Sequence, residues 1–130
     1  MEVKTDTKEK FHVISVHTEH LSANMTEDLC KQLSQHLQED IKNLVLKLDT
    51  VKSMDEDAAE CLVKTQQQFY ENSASFVVCN LNPDLETFLD QQNLLELMNV
   101  TPTESEAWDI VQMEEIEREL LGDEEEDDIA

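Results

Sequence analysis

The stretch Leu44-Val45-Leu46-Lys47-Leu48-Asp49-Thr50-Val51-Lys52-Ser53-Met54-Asp55-Glu56-Asp57 decides the fold of this chain. Leu44, Val45, Leu46 and Leu48 make an apolar run of strand length that stops at Asp49. A short polar connection, Thr50 to Ser53, leads to three acids in a row ahead of Ala58. Ser53 and Glu56 have the S-x-x-E spacing of a capping box, and the acids suit the positive end of a helix dipole. The stretch reads as a strand that hands a helix N-terminus to the edge of a sheet. In α/β domains that is where anion sites and switches are placed. Here the place is already filled with negative charge.

Outward from this centre, strands and helices alternate. Glu2 to Lys10 suits a short edge strand around Val3, and Phe11 to Val16 is a β-branched strand. Asn24, with Glu27 three residues on, predicts the cap of a first helix carrying Leu29, Leu33 and Leu37 through Glu39. Ala58, Cys61, Leu62, Thr65 and Phe69 form the buried stripe of the second helix, which closes at Asn72-Ser73. Phe76 to Leu81 is another short strand. Asn82-Pro83-Asp84 opens a third helix, and Leu94 to Val100 returns as an edge segment. Thr103 to Glu106 repeats the capping box and starts a last helix through Trp108 and Val111. The expected class is α/β, with a small mixed or mostly parallel sheet of four to five strands and about four helices. Residues 1–111 form the domain, and residues 112–130 an acidic extension, partly helical and disordered beyond Gly122.

Charge sets the limits on function. Nine basic against 31 acidic residues give a net charge of −22. Ten acids against Arg118 after residue 111 supply −9 of this, so the body still carries −13. Nucleic acid and anionic membrane surfaces both need a basic footprint and are excluded as partners. A protein partner should offer a basic or neutral face. No apolar run approaches a membrane span, and no apolar signal region opens the chain, so a cytoplasmic protein is expected. Cys30, Cys61 and Cys79 are odd in number and widely spaced, which suits reduced core thiols better than a disulfide framework. One glycine, where about nine would be ordinary, leaves no phosphate-binding loop.

At Val45 to Leu62 the chain resembles the STAS domains, the bacterial anti-sigma-factor antagonists and related modules of sulfate transporters. Their signature is an apolar strand ending in Asp, a short connection, then hydrophobic-Asp-Ser-[Ser/Thr]-Gly opening a helix. Leu46-Lys47-Leu48-Asp49 and Met54-Asp55-Glu56-Asp57-Ala58 carry it here. The element order over roughly the first 110 residues is similar as well. The resemblance implies a switch: the unmodified domain binds an anti-sigma factor that is also a kinase, phosphorylation at the helix start blocks the complex, and a phosphatase resets it. Asp55 falls on the motif aspartate and Ala58 on the glycine. Glu56 and Asp57 fall on the two hydroxyl positions. A carboxylate carries about −1 where a phosphoserine carries roughly −1.5 to −2, so Asp57 is a partial, permanent mimic of the modified state.

The expected role is a non-enzymatic regulatory interaction domain, monomeric or weakly dimeric. Its partner is of the anti-sigma-factor, kinase or phosphatase kind, and Asp49, Ser53, Asp55, Glu56 and Asp57 form the contact surface. The alternative is a soluble STAS assembly subunit of a membrane lipid-transport complex. No cofactor, metal or catalytic residue is expected. His17 and His20 would face opposite sides of an extended segment, no third donor lies near them in sequence, and the histidines read as incidental surface residues. No Ser-His-Asp or Cys-His arrangement can be assembled from the order of residues alone. Met113, Ile116, Leu120 and Leu121 give the extension an apolar stripe that could pack on its own domain, dimerise or dock on a partner.

Overall fold

In a computed structural model, residues 1–121 are described in full and the backbone of residues 122–129 continues the last helix. Five strands form the main sheet in the order β1 (Glu2–Thr7), β2 (Phe11–His17), β4 (Asn43–Lys47), β6 (Phe76–Cys79) and β7 (Val100–Thr101). The first pair is antiparallel, with Val3 opposite Val16, and all other pairs are parallel. A second sheet of two residues per strand joins β3 (His20–Leu21) to β5 (Ser53–Met54). The helices are α1 (Ala23–Gln35), α2 (Glu56–Glu71), α3 (Pro83–Gln91) and α4 (Glu104–Ile129).

The strands are apolar on both faces, so each face needs a cover. Leu44, Leu46, Phe76 and Val78 point to one side and join Leu29, Leu33, Leu62, Phe69, Leu85 and Leu89 from α1, α2 and α3. Val13, Val45 and Val77 point the other way and pack on Ala107 and Val111 of α4. The last helix thereby closes a second, smaller core on the far face. Polar groups fix it there. Asn43 donates to Glu115 Oε1 at 2.7 Å, and Arg118 donates to Asn43 Oδ1 at 3.1 Å, Ser75 Oγ at 3.0 Å and Glu115 Oε1 at 3.0 Å. Tyr70 donates to Glu114 Oε1 at 2.8 Å. The expected disorder beyond Gly122 falls outside the fully described residues.

Turn chemistry follows from the scarcity of glycine. Ser73, Asn80 and Asn93 take the left-handed conformation, with φ near 60°, and asparagine tolerates it because its short polar side chain bonds locally. At Ser73 and Asn93 this closes α2 and α3: Ala74 N–H reaches Phe69 O and Leu94 N–H reaches Leu89 O, each at 2.9 Å. Asn82 caps α3 as its sequence predicts, accepting from Asp84 N–H at 3.0 Å. Thr103 likewise accepts from Glu106 N–H at 3.3 Å.

Two caps differ from expectation. The cap of α1 is Ser22, which accepts from Met25 N–H at 3.3 Å, and Asn24 lies inside the helix. Ser53 lies in β5 and does not cap α2, whose N-cap position is Asp55. Both shifts have one cause, a contact between the starts of the two helices. Leu94 to Val100 resolves into a 3-10 turn, Leu95–Leu97, followed by the edge strand β7.

Candidate functional site

Strands β2 and β4 run parallel, and the chain continues from their C-terminal ends into the β3–β5 pair. Lys52 and Ser53 N–H both donate to Glu19 O, at 2.8 and 3.1 Å, and Asp55 N–H donates to Leu21 O at 3.0 Å. This ladder sets the starts of α1 and α2 side by side at the carboxyl edge of the sheet.

Asp55 joins them. Its Oδ2 accepts from Ala23 N–H at 2.9 Å, satisfying an amide in the first turn of α1 that has no intrahelical partner. Its Oδ1 accepts from His20 Nε2 at 2.9 Å. The Ala23 amide first, and then the His20 hydrogen bond, hold the Asp55 carboxyl below the usual carboxylate range. A carboxylate only accepts, so His20 Nε2 carries the hydrogen. His20 Nδ1 stands 2.8 Å from Ser53 Oγ and in the neutral ring accepts the serine proton.

The outcome is a hydroxyl–imidazole–carboxylate chain, Ser53–His20–Asp55, assembled from residues up to 35 apart in sequence. His20 is exposed, as the sequence predicts, but it is not incidental, because it links Ser53 to Asp55. The side chains of His20 and Asp55 are 49% and 46% exposed, so water competes for each bond. The group sits on an open face, whereas a cleft of about 450 Å³ lies elsewhere, lined by residues such as Leu81, Leu95 and Pro102. On such a face the chain holds the β5–α2 corner in one geometry and keeps the serine hydroxyl oriented.

Asp55 therefore spends its carboxylate across the helix pair and makes no side-chain cap to α2. Glu56 and Asp57 occupy the exposed first turn of α2, and among the described residues neither makes an ion pair. Ala58, by contrast, is fully buried in the larger core. Asp49 is exposed just past β4 and is not hydrogen-bonded to the Ser53–His20–Asp55 group among the described residues. Its charge acts on the buried Cys79, whose thiol is pushed up to about 12, mainly by burial and then by Glu104. Burial pushes Cys30 up to about 12 as well. Both thiols stay protonated at neutral pH and serve as core residues. Cys61, expected on the buried stripe, is half-buried.

A mostly parallel sheet with helices on both faces, and a charged helix start exposed at its carboxyl edge, define a small α/β domain. The chain belongs to the STAS domain family, whose model matches residues 2–107. Among solved structures it is similar to an anti-sigma factor antagonist from Mycobacterium paratuberculosis, at 16% identity and a TM-score of 0.73, covering 85% of this chain and 93% of that one. It is also similar to an anti-sigma-factor antagonist (STAS) domain protein from Planctomyces limnophilus, at 18% identity and a TM-score of 0.69, covering 81% and 93%. The Bacillus cell fate determinant SpoIIAA in its phosphorylated form matches at 16% identity and a TM-score of 0.62, covering 85% and 99%. These likenesses carry the fold. No curated protein sequence matches the chain.

Proposed function

We propose that this STAS domain is a non-enzymatic regulatory module that binds a protein partner through the exposed start of α2, in the manner of an anti-sigma-factor antagonist. The observation that carries the reading is the division of labour among three consecutive acids. Asp55 is tied to Ala23 and His20, while Glu56 and Asp57 stand free in solvent at the positions matching the family's hydroxyl residues. With Asp55 orienting the corner, Glu56 and Asp57 present fixed negative charge to a partner with matching Lys or Arg. Ser53 and Asp49 flank that surface. A kinase has no acceptor hydroxyl at residues 56 and 57, so charge there is constant, and the partner is one adapted to it. The net charge of −22 steers such a basic partner to the domain.

The test is affinity capture from the native cell with the wild type beside Asp57→Ser. Recovery of an anti-sigma kinase or phosphatase, in amounts that differ at least tenfold between the two baits, is the expected result. Equal recovery by both baits would reduce the acids to helix capping. Recovery of a transporter ATPase would instead support the assembly-subunit role. Phosphate label on Ser53 or Thr50 would show that the corner is switchable after all.

A further inference from the structure

At the opposite end of β2, His12, His36 and Glu39 form a second cluster. His12 is the second residue of the strand and is 4% exposed, which corrects its reading as a surface residue. His36 and Glu39 come from the 3-10 turn that follows α1 and the residue after it. The rings of His12 and His36 lie with centroids 4.2 Å apart. Glu39 bridges them, with Oε2 at 3.3 Å from His12 Nε2 and Oε1 at 3.1 Å from His36 Nδ1. One ligating atom from each residue lies within 4.8 Å of the others. His36 Nδ1 is buried and, despite its distance to Glu39, makes no well-aligned hydrogen bond. A buried ring nitrogen without a well-aligned partner is costly unless something else takes it up.

From this geometry we propose a binding site for Zn²⁺ or a similar late first-row divalent ion, with His12 Nε2, His36 Nδ1 and a Glu39 oxygen as ligands. Four ligands about 2.0–2.1 Å from a tetrahedral ion stand about 3.3 Å from one another. Glu39 Oε1 and His36 Nδ1, 3.1 Å apart, stand near that spacing, and one ligand atom from each of the three residues falls within 4.8 Å of the others. Two imidazoles and one carboxylate select such an ion over Mg²⁺ or Ca²⁺, which prefer oxygen alone.

The surroundings of His12 supply the proton change that ligation needs. Without metal, Nε2–H donates to Ile41 O at 2.9 Å, and Thr7 Oγ1 donates to Nδ1 at 2.9 Å. To ligate, Nε2 loses its hydrogen and Nδ1 gains one. The Thr7 hydroxyl can accept as readily as it donates, so it holds the new tautomer. Ile41 O, which holds the Nε2 hydrogen in the metal-free protein, gives way to the ion along that direction. The bound ion would tie the start of β2 to the end of α1 and the loop into β4. It lies about 16 Å along β2 from the strand's other end, so it is independent of the reading of α2.

Calorimetric titration of the full chain with ZnCl2, after chelator treatment, tests the site. One saturating ion per chain is expected, unaffected by excess MgCl2 and by Cys61→Ser. His36→Ala should raise Kd at least 100-fold. Thr7→Val, on the exposed edge strand, should raise it about 10–100-fold, and this variant decides the question if His36→Ala does not fold. Nitrogen-detected imidazole NMR should show the His12 proton on Nε2 before zinc and on Nδ1 after it. Zinc binding unchanged in His36→Ala or Thr7→Val, or a His12 proton that stays on Nε2 at saturation, would overturn the proposal.

Discussion

Replacing Arg118 with methionine tests whether the acidic last helix belongs to the body of the domain. The guanidinium donates to Asn43 and Ser75 and pairs with Glu115, and its side chain is 24% exposed. Ser75 is fully buried and Asn43 nearly so. Methionine keeps the aliphatic stem but removes the charged donors. A hydrogen bond to a charged group is worth about 1.5–3 kcal/mol. Partial exposure lowers that value, and Asn43 Oδ1 keeps the Ser75 N–H at 2.8 Å. The expected loss is about 1–2 kcal/mol, or about 4–8 °C in Tm for a chain of this size. Thermal and urea unfolding followed by circular dichroism would measure it, with an unchanged m-value marking a stability effect.

The same cluster fixes a pH signature. Burial raises the Glu115 carboxyl, but hydrogen bonds from Asn43 and Arg118 and the charges of Arg118 and Lys10 lower it by more, so it rests below its ordinary 4.5. A folded value below the unfolded one adds stability above about pH 4.5, and that stability is lost as pH falls through the folded value. The gap between wild type and Arg118→Met should therefore narrow below pH 4.5, and Glu115→Gln should remove most of the narrowing. A Tm difference under about 1 °C at pH 7 would refute the anchoring role, and a gap independent of pH would refute the ion pair's share.

Two further outcomes follow from the α2 corner and the thiols. Asp55→Asn should weaken the Ala23 amide hydrogen bond, seen as faster hydrogen exchange at Ala23. It should also remove a stabilising contribution that the wild type holds above about pH 3.8 and loses as pH falls through the lower folded value; unchanged exchange would show that Asp55 does not join the helices. In the native protein at pH 7.5, Cys61 should react with a thiol reagent well before Cys30 and Cys79, which burial pushes up to about 12. Equal labelling of all three would contradict their packing.

The strands and the starts of α3 and α4 were legible because they are written in local pattern. Leu44 to Leu48 could only be a buried strand, and Asn82-Pro83 carries its own cap geometry. Asn24 and Ser53 misled for a shared reason. Each has capping chemistry in its own segment, but Asp55 reaches across from α2 to the Ala23 amide, and helix α1 starts where that acceptor stands. Neither His20 with Ser53 and Asp55, nor His12 with His36 and Glu39, has any periodic signal, because their partners lie 24 to 35 residues away.

By itself, then, the sequence determined an α/β domain of strongly acidic surface, with the STAS signature at residues 45–62 and carboxylates in place of its hydroxyl residues. Hydrophobic runs, helical periodicity and capping residues are local, and they can be read in any window of the chain. Only the tertiary structure decided which acid is tied down and which two stay free, that α4 closes a second core, and that three ligand atoms meet at the start of β2. Those outcomes depend on parallel pairing of β2 with β4 and of β3 with β5, which brings distant segments within hydrogen-bond reach. No spacing along the chain encodes that approach.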